Sequence, residues 1–231
     1  MRFCLFTLFP GVFEGFLQEG LLGKAIADQV IQVERIDFRT WGLGKHRKVD
    51  DTPFGGGAGM LLRIEPIHQA IQAAEAQWGP MHKVMLSPQG APFTQAKADA
   101  LAKLDRPLGL LCGRYEGFDE RIRSLVDEEI SLGDFVTLGG EVGAMAVLEA
   151  VSRLLPAVIG NQESLNDESF RQGLLEYPQY TKPVEYNGMQ VPEVLLSGHH
   201  LEINRWRSQE AARRTQNRRP DLWKKQQTRQ N

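Results

Sequence analysis

Residues 83–117 read KVMLSPQGAPFTQAKADALAKLDRPLGLLCGRYEG, and this stretch decides the fold. Lys83–Leu86 is a short apolar run with the look of a buried strand, closed by the turn-forming Ser87-Pro88-Gln89-Gly90. Gln95–Leu104 places Ala100, Leu101 and Leu104 on one helical face. Leu108–Cys112 is apolar again and ends in Gly113-Arg114-Tyr115-Glu116-Gly117. Strand, helix and strand in succession predict a βαβ unit and therefore a parallel α/β sheet.

The pattern extends in both directions. Phe3–Phe9, closed by Pro10-Gly11, lacks the small-residue cleavage site of a signal peptide and reads as a first buried strand. Val30–Phe38 alternates as a second. Lys45–Gly59 is charged, glycine-rich and aperiodic, a long loop of the kind that works or moves. Pro66 opens a helix carrying Ile67, Ala70, Ile71 and Ala74. Downstream, Glu120–Val126 reads as helical and Glu129–Leu132 as a brief strand. Glycine turns follow at Gly133-Asp134-Phe135 and Gly139-Gly140, and Val142–Leu155 is a helix stopped by Pro156. The expected division is an α/β domain over 1–156, a polar linker over 157–175 containing Gly160-Asn161-Gln162-Glu163-Ser164, and a smaller, basic, mainly helical domain over 176–231.

Composition narrows the function. The chain has 231 residues, 42% hydrophobic and 24% charged, as expected of a globular protein. Two cysteines, Cys4 and Cys112, provide neither a disulfide framework nor a four-ligand zinc site, which suits a reducing cytoplasm. No apolar run approaches the roughly 20 residues that span a bilayer, so no membrane partner is expected. The formal charge is only -2, yet residues 205–231 hold nine Lys and Arg against Glu210 and Asp221, a net +7, leaving -9 elsewhere. Such a tail suits a phosphate backbone, and Trp206 and Trp223 among the arginines suit stacking on RNA bases. A solvated helix face reads equally well from the charges alone.

Three glycine-bearing turns, Ser87–Gly90, Gly113–Gly117 and Gly133–Gly140, follow three successive strands, where open α/β sheets bind ligands. They contain no lysine and no phosphate-loop signature, and Gly55-Gly56-Gly57-Ala58-Gly59 is not a dinucleotide fingerprint, because Met60 fills the last place. A pocket of backbone amides with Leu86, Phe135 and Leu138 suits a neutral or cationic adenosyl compound better than a polyphosphate. His199-His200 with Glu202 fits no common zinc spacing. Cys112 reads as inert core, and Ser87 has no nucleophile elbow. The pair Asp167-Glu168, flanked by Asn166 and Ser169, has the look of a helix cap.

Longer motifs then carry a resemblance. Lys48–Gly57, Leu86–Gly90, Cys112–Gly117, Gly133–Phe135, Gly139–Glu141, Val151–Arg153 and Val194–His200 are similar, in order and spacing, to the bacterial tRNA (guanine-N1)-methyltransferases. So are Trp206-Arg207 and Arg218–Leu222. The resemblance implies a SPOUT-type fold with a deep trefoil knot, S-adenosylmethionine as methyl donor and magnesium-dependent activity. It also implies a homodimer with active sites between subunits, and tRNA rather than DNA as partner. The implied reaction is methylation at N1 of the guanosine immediately 3′ of the anticodon.

By position, the implied cofactor contacts are Leu86, Ser87, Pro88, Gln89, Gly90, Gly113, Tyr115, Leu132, Gly133, Asp134, Phe135, Val136, Thr137, Leu138, Gly139 and Gly140. Glu116 matches a residue near the target guanine, and Arg153 one that offsets charge on its O6. The general base is a linker aspartate before Ser-Phe; here Glu168 precedes Ser169-Phe170, with Asp167 one residue earlier, so either carboxylate could serve. Thr137-Leu138, Gly143 in place of a usual proline, and Met85 in place of a common tyrosine also depart from the family pattern. A non-catalytic tRNA-binding scaffold and a ribose 2′-O-methyltransferase of the same fold are the competing readings. No motif for a magnesium ligand is evident.

Overall fold

In the computed structural model, residues 1–161, 165 and 167–230 are described. Of the linker residues quoted above, Gln162, Glu163, Ser164 and Asn166 lie outside the described set. The chain forms two units, Met1–Gly160 and Asn161–Asn231.

In chain order the first unit carries β1 (Arg2–Thr7), α1 (Glu14–Gln18), α2 (Gly20–Ala27), β2 (Gln32–Asp37), β3 (Asp50–Asp51), β4 (Leu61–Leu62) and α3 (Ile64–Trp78). Then come β5 (His82–Pro92), α4 (Gln95–Ala102), β6 (Leu108–Cys112), β7 (Glu128–Ser131) and α5 (Glu141–Ser152). The main sheet has the order β2-β1-β6-β5-β7, every neighbouring pair parallel. The parallel α/β expectation is met.

The strands look like unbroken apolar runs because both faces of the sheet are covered. Along β1, Phe3 and Leu5 enter one core with Val84, Leu110, Val147 and Leu148, under α2, α4 and α5. Cys4 and Phe6 point the other way, into a second core with Ile67, Ala70, Ile71, Ala74 and Met85, under α3. The period-two alternation of β1 and the 3–4 spacing of α3 meet across that layer. Each fully buried Leu or Phe contributes roughly 1.5–3 kcal/mol, so these two layers hold the sheet rigid beneath its loops.

Four local readings differ from the sequence expectation. Residues 10–27, where no element was expected, form a 3-10 turn followed by α1 and α2. Gly11, Gly15, Gly20 and Gly23 lower helix propensity there, and packing of Phe13, Leu22 and Ala25 on the sheet overrides it. Ser87–Gly90 is not a turn beyond a strand but an excursion within β5: Leu86 and Ala91 both face Ile130 across it. The long loop before Gly59 contains β3, paired antiparallel with β4. Glu120–Leu125 is a 3-10 helix, capped by Asp119.

The second unit contains the hairpin β8 (Glu185–Tyr186) and β9 (Met189–Gln190), then α6 (His200–Arg218) and α7 (Pro220–Gln230). The hairpin turns at Asn187 and Gly188, both at positive φ, as a two-residue hairpin loop requires. Leu175 N donates to Thr215 Oγ1 at 2.8 Å, tying the end of the linker to α6. No helix among the described residues is long and apolar enough to cross a membrane.

Candidate cofactor cleft and linker carboxylates

The three loops after β6, after β7 and within β5 meet around one cleft of about 330 Å³, at the carboxyl ends of the strands. Leu86, Ser87, Pro88 and Gln89 form one wall. Gly113, Tyr115 and Glu116 form the second, and Leu132 with Phe135–Gly140 the third. Gly90, Gly133 and Asp134 do not line it. Gly90 presses on β7, where an added Cβ would stand 2.5 Å from Ile130 N. Gly133, at φ +152°, turns the loop, and its amide donates to Ser131 Oγ at 3.1 Å.

The walls are locked to one another by backbone. Gly140 N donates to Gly113 O at 2.9 Å, and Arg114 and Gly139 form an antiparallel bridge. A Cβ on Gly140 would lie 2.8 Å from Cys112 Cα, so only glycine permits this approach. Glu116 is fixed from the opposite side, its amide donating to Met60 O at 3.0 Å. Gly59 lies so close to the Glu116 side chain that a Cβ there would overlap it. The glycine-rich loop thus does have a task, making room for Glu116.

Met85 and Gly143, marked in the sequence as departures from the family pattern, line the cleft, and sequence reasoning missed Arg114, Phe118, Asp119, Glu120 and Arg123, which also line it. Their only signal was adjacency to the glycine turns. Arg123 reaches Gln89 Oε1 at 2.9 Å, pairs with Glu120 at 2.8 Å, and also pairs with Glu129. It therefore clasps the β5 excursion to β7. Hydrogen bonds from the Arg121 guanidinium hold the Asp119 carboxyl below the usual carboxylate range.

The cleft fits an adenosyl ligand. Its floor is apolar, from Leu86, Leu132 and Gly143, and a Cβ on Gly143 would stand 3.4 Å from Leu86 Cδ1, filling part of the cradle. Its charged lining is close to balanced: Asp119 and Glu120 are paired with Arg121 and Arg123, Arg114 is engaged by Glu141, and Glu116 adds a carboxylate. No lysine lines it among the described residues, which suits a neutral or singly cationic ligand better than a polyphosphate. For magnesium there is no comparable fit: among the described residues no three His, Cys, Asp or Glu side chains group to hold a metal.

The remaining candidates lie elsewhere. Arg153 caps the C-terminus of α5, its amide donating to Glu149 O at 3.2 Å. In the second unit, Asp167 and Glu168 face a hollow of about 400 Å³ bounded by Glu176, Tyr177, Asn204 and Arg207. The Arg207 guanidinium lies 4.8 Å above the Tyr177 ring. Burial pushes the Tyr177 phenol up, outweighing the pull of Arg207. Ser169 Oγ accepts from Glu176 N at 3.0 Å, and the Arg171 amide donates to Glu168 O at 3.3 Å, closing the turn after the carboxylates. His199 precedes α6 with no side-chain cap bond. Both cysteines are buried free thiols.

A three-layer α/β domain with backbone-rich loops converging at the strand ends belongs to the class that seats a small ligand at such a crevice. Comparison narrows the class. Residues 1–225 match the family described as tRNA (Guanine-1)-methyltransferase TrmD. The tRNA (guanine-N(1)-)-methyltransferase of Sorangium cellulosum is 52% identical, covering 97% of this chain and 94% of that protein. Its namesakes from Thermus thermophilus and Geobacillus kaustophilus are 53% and 51% identical, each over 96% of this chain and 91% of their own length. The chain belongs to this family of methyltransferases.

Proposed function

We propose that this protein methylates tRNA at N1 of the guanosine immediately 3′ of the anticodon. S-adenosylmethionine occupies the three-loop cleft. The observation that carries the reading is the cleft itself: an apolar floor, backbone walls and a lining whose arginines are all paired with carboxylates, in a chain of this family. When bound, the cofactor supplies a methyl group on a positively charged sulfur, which leaves as a neutral thioether.

The protein's own groups supply the rest. Guanine N1 carries a proton and is a weak nucleophile until that proton departs. A linker carboxylate, Glu168 or Asp167, accepts it as the N1–methyl bond forms and the methyl–sulfur bond breaks, its electron pair remaining on sulfur. Arg153 offsets the negative charge gathering on guanine O6. Glu116 lies beside the base, and the loop walls orient the donor. Leu86–Gly90, Gly113, Tyr115 and Leu132–Gly140 act as the cofactor cradle, with Gly90, Gly133 and Asp134 shaping it from outside. No step is assigned to magnesium, which rests on the family resemblance.

The protein works as a homodimer with active sites shared between chains. Supporting this, Val136, Leu138 and Val142 are 83%, 91% and 58% exposed beside the cleft, a large apolar surface to leave in water. The cleft loops form a trefoil knot, residues 157–175 act as the lid-bearing linker, and residues 176–231 hold tRNA in the cytoplasm.

Methyl transfer from labelled S-adenosylmethionine tests the reading. One transcript carries guanosine 3′ of the anticodon and its twin carries adenosine. N1-methylguanosine from the first alone is expected; a sugar-methylated product, or tRNA binding without transfer, overturns it. Removing the working carboxylate, by Glu168→Ala or Asp167→Ala, lowers transfer about 10²–10⁴-fold. Full turnover in both variants excludes a linker base.

A further inference from the structure

A chain of polar groups, buried at Thr7 and Glu141 and reaching the surface through Arg114, runs beneath the cleft and belongs to none of the roles above. The Glu141 side chain, at the first position of α5, is 2% exposed. Its Oε1 accepts from Thr7 Oγ1 at 2.7 Å, at the end of β1, and Thr7 Oγ1 in turn accepts from the Phe9 amide at 2.9 Å. Its Oε2 lies 2.8 Å from an Arg114 terminal nitrogen. The other terminal nitrogen of Arg114 donates to Leu138 O, in the third wall of the cleft, at 3.3 Å. The guanidinium also covers the Phe9 ring at 4.6 Å. It passes so near Gly139 that a Cβ there would overlap Arg114 Nε.

We propose that Arg114 and Glu141 are positioning residues that hold the Leu138–Gly140 wall in its ligand-binding conformation. A buried pair is weak evidence of stabilisation, because desolvation offsets attraction. Here, however, the pair reaches a carbonyl of the cleft wall from a fixed point on the sheet. Glu141 anchors the guanidinium to β1, and the guanidinium anchors the loop. Lysine at position 114 could satisfy Glu141 or Leu138 O but not both in this planar geometry. Glycine at 139 is what lets the fork pass.

This inference rests on the proposed cleft ligand, and its test separates the two. S-adenosylhomocysteine binding is measured by calorimetry on the full chain, with thermal unfolding alongside, for the parent, Arg114→Lys, Glu141→Gln and Thr7→Val. The double variant Arg114→Met/Glu141→Leu is included, since it removes both charges and leaves neither buried alone. Arg114→Lys and Glu141→Gln weaken binding about tenfold or more, as loss of the charged donor to Leu138 O, or of the ion pair that holds that donor in place, does. In turnover they raise KM for the donor while kcat changes far less. The double variant recovers part of the thermal stability lost by the single ones, since Thr7 Oγ1 is left without its acceptor, but not affinity, since Leu138 O still lacks its donor. Recovery of affinity with stability, or parental affinity in both single variants, overturns the inference while leaving the cleft reading intact. A parent that binds no adenosyl ligand overturns the cleft reading and this inference together.

Discussion

A side chain at Gly140 would enter space held by backbone rather than by movable side-chain atoms. The Cβ of Gly140→Ala would stand 2.8 Å from Cys112 Cα and 3.0 Å from Gly113 N. Relief requires parting the second and third walls of the cleft, so the variant loses about 1–3 kcal/mol of stability, as overpacking does. Its S-adenosylhomocysteine-induced rise in Tm shrinks as well; a parental rise would show the walls to be compliant. Gly143→Ala, by contrast, meets Leu86 Cδ1 at an ordinary 3.4 Å and leaves the unliganded Tm nearly unchanged. The thiols form a second residue-scale case. Burial pushes Cys4 up to about 12, and Cys112 is raised well above its ordinary value by burial, with Glu141 adding to the effect. At pH 8 a thiol with that value at Cys4 is ionised about once in ten thousand molecules, and only the thiolate alkylates. Iodoacetamide followed by mass spectrometry therefore leaves both cysteines unmodified in the folded protein and modifies both in denaturant.

At the scale of elements, α4, β5 and β7 are joined at the end of the sheet away from the cleft. Glu128 on β7 accepts from His82 of β5 at 2.7 Å and from Lys97 of α4 at 2.5 Å. Burial pushes its carboxyl up, but the Lys97 and His82 bonds outweigh that and hold it below the usual range. A carboxyl depressed in the folded state contributes stability above its unfolded value, near about 4.3, and loses it as pH falls through the folded value. Glu128→Gln thus lowers Tm at pH 7 by roughly 2–4 °C, for a loss of about 1 kcal/mol. The difference narrows as pH falls from 5 toward 3; an equal difference at every pH would assign the loss to packing. These same elements show what the sequence made legible. The apolar runs of β1, β5 and β6 and the spacing of α3 are dictated by burial on two faces, and local pattern reports burial directly. The helices at 14–27 were hidden because their glycines obey tertiary packing. The β5 excursion was hidden because a strand that leaves and rejoins its neighbour looks locally like a turn. In the cleft, the glycine loops announced themselves, but Arg114, Arg123 and Glu141 did not. Their meaning lies in partners as distant as Thr7, which no local pattern carries.

Over the whole molecule, charge is divided more sharply than the net -2 suggests. Within residues 205–231 both anions are already engaged, Glu210 with Arg213 at 2.6 Å and Asp221 with Arg219 at 2.7 Å. The Arg219 pair holds Asp221 down at about 2, so it stays charged at every working pH. The seven positive charges in excess are thus carried by side chains such as Arg218, Lys224 and Lys225, all exposed on α6 and α7. Cations on such a surface displace counterions from a phosphate backbone, and the logarithm of the binding constant then falls linearly with the logarithm of salt. Each contact contributes about 0.7–0.9 to that slope, so Lys224→Gln/Lys225→Gln reduces its magnitude by roughly 1.4–1.8 if both lysines meet phosphate. Fluorescence anisotropy with labelled tRNA measures it between about 50 and 300 mM KCl, a range over which screening strengthens steadily. The binding curves of parent and variant should converge as salt rises, because the lost term is the one that salt suppresses. Parallel lines with an unchanged slope would place these lysines away from phosphate and return the tail to a solvated helix face.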